Sequence, residues 1–385
     1  MTLLKFKQTE IGKIPEDWEE IELEILGKIK TGKGTEKLST GKYKLLGANG
    51  LIGFTNDFLE DSSLIYTGRV GTIGQINFQE KEKVWLSDNT IYFTCKDEFL
   101  LKYIYYALKK NFGYLNVGST QPLIKQSDFK KLNIQIPKNE KEMHSIASIL
   151  SSLDAKIELN NKMNKTLETI GQTLFKKWFV DERKGEWGEG KLGDYAESVS
   201  GCSYTSKGLN PSENALVTLK SVGVDGFKQD GFKEYTGEYK DKHVVKDGDI
   251  VVAHTDLTQD RIILGKPVIV RDFGKYKEMV ASMDLSIVRP TKLINKPFLY
   301  FLLNSNIFHG YAQGHANGTT VIHLSRKAIP EFTFFIPDKD LLEKFKEISD
   351  NLFNKIRIND LQNQTLAQIR DALLPKLMSG EIRVK

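Results

Sequence analysis

The chain has 385 residues, with 55 Lys and Arg against 50 Asp and Glu, a net charge of +5 and a pI near 8.8. Its 40% hydrophobic and 27% charged content fits a globular protein of two or three domains, and no apolar run approaches the ~18 residues that a membrane span needs. Two cysteines, Cys95 and Cys202, offer neither a zinc spacing nor a disulfide framework, and Met1 to Lys7 lacks a signal peptide's apolar core. A cytoplasmic protein with both thiols packed or idle is expected. The mild basicity allows a nucleic-acid partner without requiring one.

Trp18 stands fourteen residues before Gly32. Residues 63–67 and 90–94 have strand composition, and 99–110 carry Leu100, Tyr103, Ile104 and Ala107 on one helical face. Gly68-Arg69-Val70-Gly71-Thr72-Ile73-Gly74 reads either as a loop that lets backbone approach a phosphate or as a tight β-turn. Gly118-Ser119-Thr120-Gln121 forms a polar cluster with Lys125 nearby. Leu132, Ile134 and Ile136 alternate at period two and lead into Pro137, a closing strand before a helix.

From Ile146 a 4-3 spacing runs through Leu150, Leu153, Ile157, Asn160, Asn164, Leu167, Gly171, Leu174 and Trp178. A sustained period of 3.5 is a coiled-coil seam. A helix of about 40 residues spans roughly 60 Å and needs a partner to be stable in water.

The chain then repeats itself. Trp187 stands fourteen residues before Gly201, and Gly318-Thr319-Thr320 keeps to Pro337 the spacing that Gly118 keeps to Pro137. Strands are expected at 249–253 and 286–288, a helix at 296–304, and a closing strand at Phe332, Phe334 and Ile336. Between them lie two polar clusters, His254-Thr255-Asp256-Leu257-Thr258-Gln259-Asp260-Arg261 and His315-Ala316-Asn317-Gly318-Thr319-Thr320. The second seam is Phe345, Ser349, Leu352, Ile356, Asn359, Asn363, Leu366, Arg370, Leu373 and Leu377, with Pro375 expected to kink or end its helix. The two helices are expected to pair antiparallel. Asn160 and Asn164 would then face Asn363 and Asn359, and polar seam residues set register. Gly32 to Gly118 spans 86 residues and Gly201 to Gly318 spans 117, so one scaffold carries different loops.

Catalytic signatures are scarce. There is no GxxxxGK[ST] loop, no Gly-rich cofactor fingerprint between strand and helix, and no adjacent prolines of the motif that holds a flipped base in amino-methylating enzymes. The six His show no paired metal spacing, so no metal site is expected. The polar clusters hold the side chains that read base edges and grip phosphates, and equally those of ordinary Asx and Ser/Thr turns.

The order of these features resembles the specificity subunit of type I restriction-modification enzymes over nearly the whole chain. The resemblance rests on residues 68–74, Gly118-Ser119-Thr120-Gln121-Pro122, Leu153-Asp154-Ala155-Lys156-Ile157 leading to Asn160, residues 255–260, and the ending Leu374-Pro375-Lys376-Leu377-Met378-Ser379-Gly380-Glu381-Ile382. It implies an α+β fold with two pseudo-repeated target-recognition domains joined by two long antiparallel coiled-coil helices. The expected boundaries are 1–138 for the first domain and 139–180 for the first spacer helix. They continue with 181–337 for the second domain after a linker at 181–186, and 338–385 for the second helix and tail.

The resemblance further implies a non-catalytic subunit that reads a bipartite, asymmetric double-stranded DNA site. Its partners would be two methyltransferase subunits and restriction-motor subunits, with no membrane involved. S-adenosylmethionine, ATP and Mg²⁺ would belong to those partners, and this chain would hold no cofactor. The candidate DNA-contacting residues are Lys33, Arg69, Thr72, Ser119, Thr120, Gln121, Lys125, Lys220, His254, Thr255, Arg261, His315, Asn317, Thr319 and Thr320. The second copy departs from the Gly-Ser-Thr-Gln-Pro pattern, reading Gly318-Thr319-Thr320-Val321-Ile322. The alternatives are a single-chain methyltransferase or nuclease with an unrecognised site, and a coiled-coil adaptor that binds only proteins.

Overall fold

A computed structural model describes residues 5–9, 12–69, 75–111, 124–183, 185–224, 226–228, 231–256, 261–291, 293–318 and 321–384. The chain forms two compact units, one of Met1–Glu158 with Thr365–Lys385, the other of Leu159–Gln364. Each unit holds one globular body and part of each long helix.

In unit one the body is built from β1 (Trp18–Glu22), β2 (Lys28–Thr31), β3 (Tyr43–Gly47), β4 (Gly50–Thr55), β5 (Leu64–Gly68), β6 (Asn77–Gln79), β7 (Val84–Leu86), β8 (Thr90–Thr94), α1 (Glu98–Asn111) and β9 (Asn133–Pro137). An antiparallel sheet runs β2-β8-β5-β6, and a second runs β4-β3-β7 with β3 and β7 parallel. β5 is buried along its whole length, which is why its run Leu-Ile-Tyr-Thr-Gly does not alternate. α1 lays Leu101, Tyr103, Ile104, Ala107 and Leu108 into the core. β9 pairs with β1, so Pro137 lies opposite Trp18 and the chain enters α2 (Glu140–Lys176) from a fixed strand.

Unit two repeats this plan with β10 (Glu189–Lys191), β11 (Ala196–Ser200), β12 (Asn214–Val217), β13 (Phe232–Glu234), β14 (Val244–Val245), β15 (Ile250–Ala253), β16 (Thr255–Asp256), β17 (Pro267–Ile269), β18 (Glu278–Ala281), β19 (Leu285–Pro290), α3 (Lys296–Leu303), α4 (Asn306–Gly314), β20 (Ala316–Asn317), β21 (Ile322–Leu324) and β22 (Thr333–Phe335), then α5 (Lys339–Met378). The sheet β11-β19-β15-β17 matches β2-β8-β5-β6. The sheet β13-β12-β18-β14 matches β4-β3-β7 with one strand more, and again its central pair, β12 and β18, is parallel. β10 pairs with β22 as β1 pairs with β9.

The glycines that mark the repeat have a steric reason. A Cβ on Gly32 would lie 2.0 Å from the Ser87 carbonyl oxygen, and one on Gly201 would lie 2.2 Å from that of Ser282. Both positions end the first strand of the four-stranded sheet, where the chain passes against a neighbouring backbone. Gly171, in the first seam, would place a Cβ 2.2 Å from Cζ of Phe301. Its lack of a side chain lets α2 lie on α3, within a core that also holds Phe175, Phe298 and Phe345.

No seam position of α2 or α5 is exposed. Within unit two the helices run antiparallel. Asn160 Nδ2 donates to Asn363 Oδ1 at 2.9 Å, and Asn359 Nδ2 donates to Asn164 Oδ1 at 2.8 Å. Asn160 also donates to Gln362 Oε1, and Asn363 to Asn161 Oδ1. Within unit one, Ile146 and Leu150 share a core with Leu374, Leu377 and Met378.

Of the kink or stop expected at Pro375, the stop does not occur: α5 runs on to Met378. The carbonyl that the ring leaves without a donor belongs to Asp371, which is exposed, as is Pro375 itself. Water can serve that carbonyl so close to the helix end, and the cost that stops an interior helix is small there.

Candidate functional site

The duplicated scaffold brings candidate residues to equivalent places in the two bodies. In unit one the Ile124 N–H donates to the Arg69 carbonyl at 3.0 Å; in unit two the Leu324 N–H donates to the His254 carbonyl at 2.8 Å. Arg69 directly follows β5, and His254 directly follows its counterpart β15. The side chains differ while the backbone does not. Arg69 keeps a buried Nε, and His254 a buried Nε2, with no hydrogen-bond partner among the described residues.

Unit two assembles the fuller site. Its two polar clusters, 50 and more residues apart in sequence, meet in a three-stranded sheet, β16-β21-β20. His323 is the residue that joins them: Thr255 and Asn317 are its cross-strand partners on either side. Thr255 Oγ1 lies 3.3 Å from Asp284 Oδ1 and 3.5 Å from His323 Nδ1. Thr255 is 4% exposed, whereas Asn317 and His323 are exposed. Burial pushes the His254 imidazole down to about 4, and the Arg326 charge adds to the depression. His254 is therefore neutral at pH 7, able to offer one N–H or one lone pair and no charge.

The hydroxyl between a carboxylate and an imidazole does not make a nucleophile. In a catalytic triad the carboxylate orients the imidazole, which in turn takes the hydroxyl proton. Here Asp284 holds Thr255 directly, and Thr255 is buried. Among the described residues no group of three His, Cys, Asp or Glu side chains is arranged to hold a metal ion, and no helix is long and apolar enough to cross a membrane.

The remaining candidates divide as follows. Lys33, Lys125 and Lys220 are exposed. Lys33 follows Gly32 and is held by its backbone, which donates to Leu86 O and accepts from Trp85 Nε1 at 2.7 Å. Lys125 precedes the short helix Gln126–Lys130. Arg261 adopts φ +52° and its Nη1 reaches the Gln313 carbonyl, so it ties the β16 side of the sheet to α4. His315 is exposed, bonds the Tyr311 carbonyl through Nδ1 at 2.9 Å and packs on the Tyr311 ring. Thr72, Ser119, Thr120, Gln121, Thr319 and Thr320 lie outside the described residues, as does most of the Gly-rich segment 68–74.

Two polar residues were missed by sequence reasoning. Asp284 had no local signal, because its role comes from a strand pairing far along the chain. His323 had one: it is the exposed middle of Ile322-His323-Leu324, whose flanking residues are buried, an alternation that marks a strand with one outward polar side chain.

Residues 15–169 match the family described as the type I restriction modification DNA specificity domain. The first body and most of α2 are thus similar to type I DNA-specificity domains. The chain is 27% identical to the specificity subunit of the MjaIX type I restriction enzyme of Methanocaldococcus jannaschii, across 99% of this chain and 97% of that one. It is 24% identical to the HindI specificity subunit of Haemophilus influenzae, across 69% and 72%. The solved type I restriction-modification S subunit of M. genitalium superposes with a TM-score of 0.56 at 20% identity, covering 97% of this chain and 98% of that one, which shows a shared fold. The family match spans the first body and most of α2, and the repeated topology extends the same architecture to the second.

Proposed function

We propose that this chain reads a split, asymmetric DNA site, one half with each body, and serves as the non-catalytic scaffold on which methyltransferase and restriction subunits assemble. The observation that carries this reading is one scaffold built twice with different side chains on the same backbone frame: Arg69 in one body, and in the other the exposed His323 and Asn317, supported by the buried His254 and Thr255. Matched frames approach DNA alike, and unlike side chains select unlike bases. The likeness to type I DNA-specificity domains suggests the ligand class. A DNA-acting role fits the cytoplasm.

Two methyltransferase subunits fit a second feature. Leu159 and Ile170 of α2 are exposed apolar residues off the seam, and so are Ile358 and Ile369 of α5. The offset of 199 residues that relates the helices carries the first pair onto the second. A repeated apolar pair offers the same contact twice, as two copies of one partner require.

The test is to assemble the chain with its methyltransferase subunit and map methylated adenines or cytosines on a random DNA library. A two-part site with a fixed gap is expected. The chain alone should bind DNA weakly and lose affinity steeply with salt, because backbone phosphate contacts dominate non-specific binding. Methylation by the chain alone, or a continuous site, contradicts the proposal.

A further inference from the structure

Each unit contains a carboxylate whose two oxygens are taken by different elements. In unit two, Asp360 on α5 accepts from Asn164 Nδ2 on the α2 seam through Oδ1, at 2.8 Å. Through Oδ2 it accepts from Arg271 Nε of the body, at 3.1 Å. Arg271 is 8% exposed and follows β17 by two residues. In unit one, Asp154 on α2 accepts from Arg370 Nη1 on the α5 seam through Oδ1, at 2.5 Å. Through Oδ2 it accepts from the Tyr106 hydroxyl of α1, at 2.7 Å.

The two junctions have one logic: a body side chain, a carboxylate on one helix, and a seam residue of the opposite helix. They are not copies made by the duplication. The offset of 199 residues carries Asp154 to Phe353 and Asp360 to Asn161. The same connection is therefore built twice from unrelated residues, which argues against an inherited accident.

The junction in unit two is reinforced a turn to either side. Arg357 Nε meets Asp247 Oδ2 at 3.0 Å, and Gln364 Nε2 donates to the Phe273 carbonyl at 3.2 Å. Burial pushes the Asp360 carboxyl up, while Arg271 and the hydrogen bond from Asn164 pull it down. The two partners are thus what keep the anion in place. Charge-assisted bonds of this kind are short and directional. A slip of one residue along the helix moves a donor by about 1.5 Å, enough to break one bond while the other holds.

We infer that Asp154 and Asp360 are positioning residues that key each body to the register of the helix pair, and so narrow the range of gaps between half-sites that the protein accepts. This rests on the two-body reading of a split site. Neither residue reads bases itself.

The experiment is methylation mapping with the assembled complex, using wild type, Asp360→Asn and Asp154→Asn. Mapping the wild type first separates the two ideas: if it shows no split site, the proposed function fails and not the coupling. Asn keeps the shape of the side chain but puts an N–H where one donor must be accepted. The expected result is unchanged half-sites with relaxed gap choice. Discrimination between the native gap and gaps one base pair longer or shorter should fall about tenfold, the scale of effect that coupling residues show. A purely structural role would lower the melting temperature and leave the gap preference intact, and that outcome overturns the inference. If an Asn variant does not assemble, Tyr106→Phe and Arg271→Lys give the same readout. Each weakens one arm of a junction and leaves the carboxylate in place, and an unchanged gap profile in both overturns the inference equally.

Discussion

Arg383 donates to both carboxylate oxygens of Glu142, at 2.5 and 2.7 Å. Glu142 is 2% exposed, and the same guanidinium also bonds both oxygens of Asp17, at 3.1 and 2.6 Å. These partners, Glu142 foremost, raise the guanidinium above its ordinary range, and Arg383 in turn lowers the Asp17 carboxyl. Arg383→Ala would leave a buried carboxylate without its partner. The expected loss is about 3 kcal/mol in urea unfolding, with Arg383→Lys recovering only part because it cannot form the two-pronged contact. A loss below about 0.5 kcal/mol, the level of an exposed ion pair, would show that the contact does not hold the tail.

The pH dependence of unit two should carry the signature of His254. Its folded value is near 4 against an ordinary 6.5, so the unfolded chain takes up the proton first. The neutral imidazole's contribution is fully present above pH 6.5 and is lost as the pH falls through 4. The difference is worth about 3 kcal/mol at the acid end. Unfolding of wild type and His254→Gln should be compared from pH 7.5 to 4. The gap between the two should close or reverse on acidification, and parallel curves would contradict the assignment.

Gly32→Ala and Gly201→Ala are expected to destabilise by comparable amounts, roughly 2 kcal/mol or more, because backbone must move to admit a methyl group. The clash partners are carbonyl oxygens of Ser87 and Ser282, not flexible side-chain ends. Gly34→Ala, where a Cβ meets nothing within 4 Å, is the control and should leave the melting temperature within a degree or two. Equal effects of Gly32→Ala and Gly34→Ala would remove the steric account.

A heptad inserted in both helices, beside Asn160 and Asn359, keeps the seam in phase and adds roughly 10.5 Å. The gap between half-sites should widen by about three base pairs, given a rise of about 3.4 Å per pair, with the half-sites themselves unchanged. Three base pairs also turn the second half-site by roughly 100°. Flanking insertions of one and two heptads should therefore be mapped together. An active variant that keeps the original gap would show that the helices do not measure DNA.

Much of this architecture was legible because it is periodic. The 4-3 seam located α2 and α5 and paired Asn160 with Asn363, since a helix repeats its face every few residues whatever the fold around it. Residues 90–94 were legible from their strand-forming composition, and the helix expected at 296–304 runs over Lys296–Leu303. The bodies were less so. Thr255, Asp256, Ala316 and Asn317 read as turn residues, yet they form edge strands, because pairing with β21 supplies what their own propensity does not. Asp360 carries no sequence mark, and Asp154 is marked only as part of the run Leu153 to Ile157, with nothing to show that it joins body to helix. A carboxylate on a helix surface looks solvated until the body packed beside it is known.

The division of the chain also bears on how it is made. Unit two is one uninterrupted stretch, Leu159–Gln364, whereas unit one needs Thr365–Lys385 to complete it. A ribosome adding roughly 5–20 residues each second releases the first body some ten seconds or more before Leu374, Leu377 and Met378 exist. During that interval the apolar surface they will cover, around Ile146 and Leu150, has no native partner. The first body to be synthesised is thus the last to be finished, and the interval is when it is most open to chaperones, to proteases and to a stray helix from a neighbouring chain.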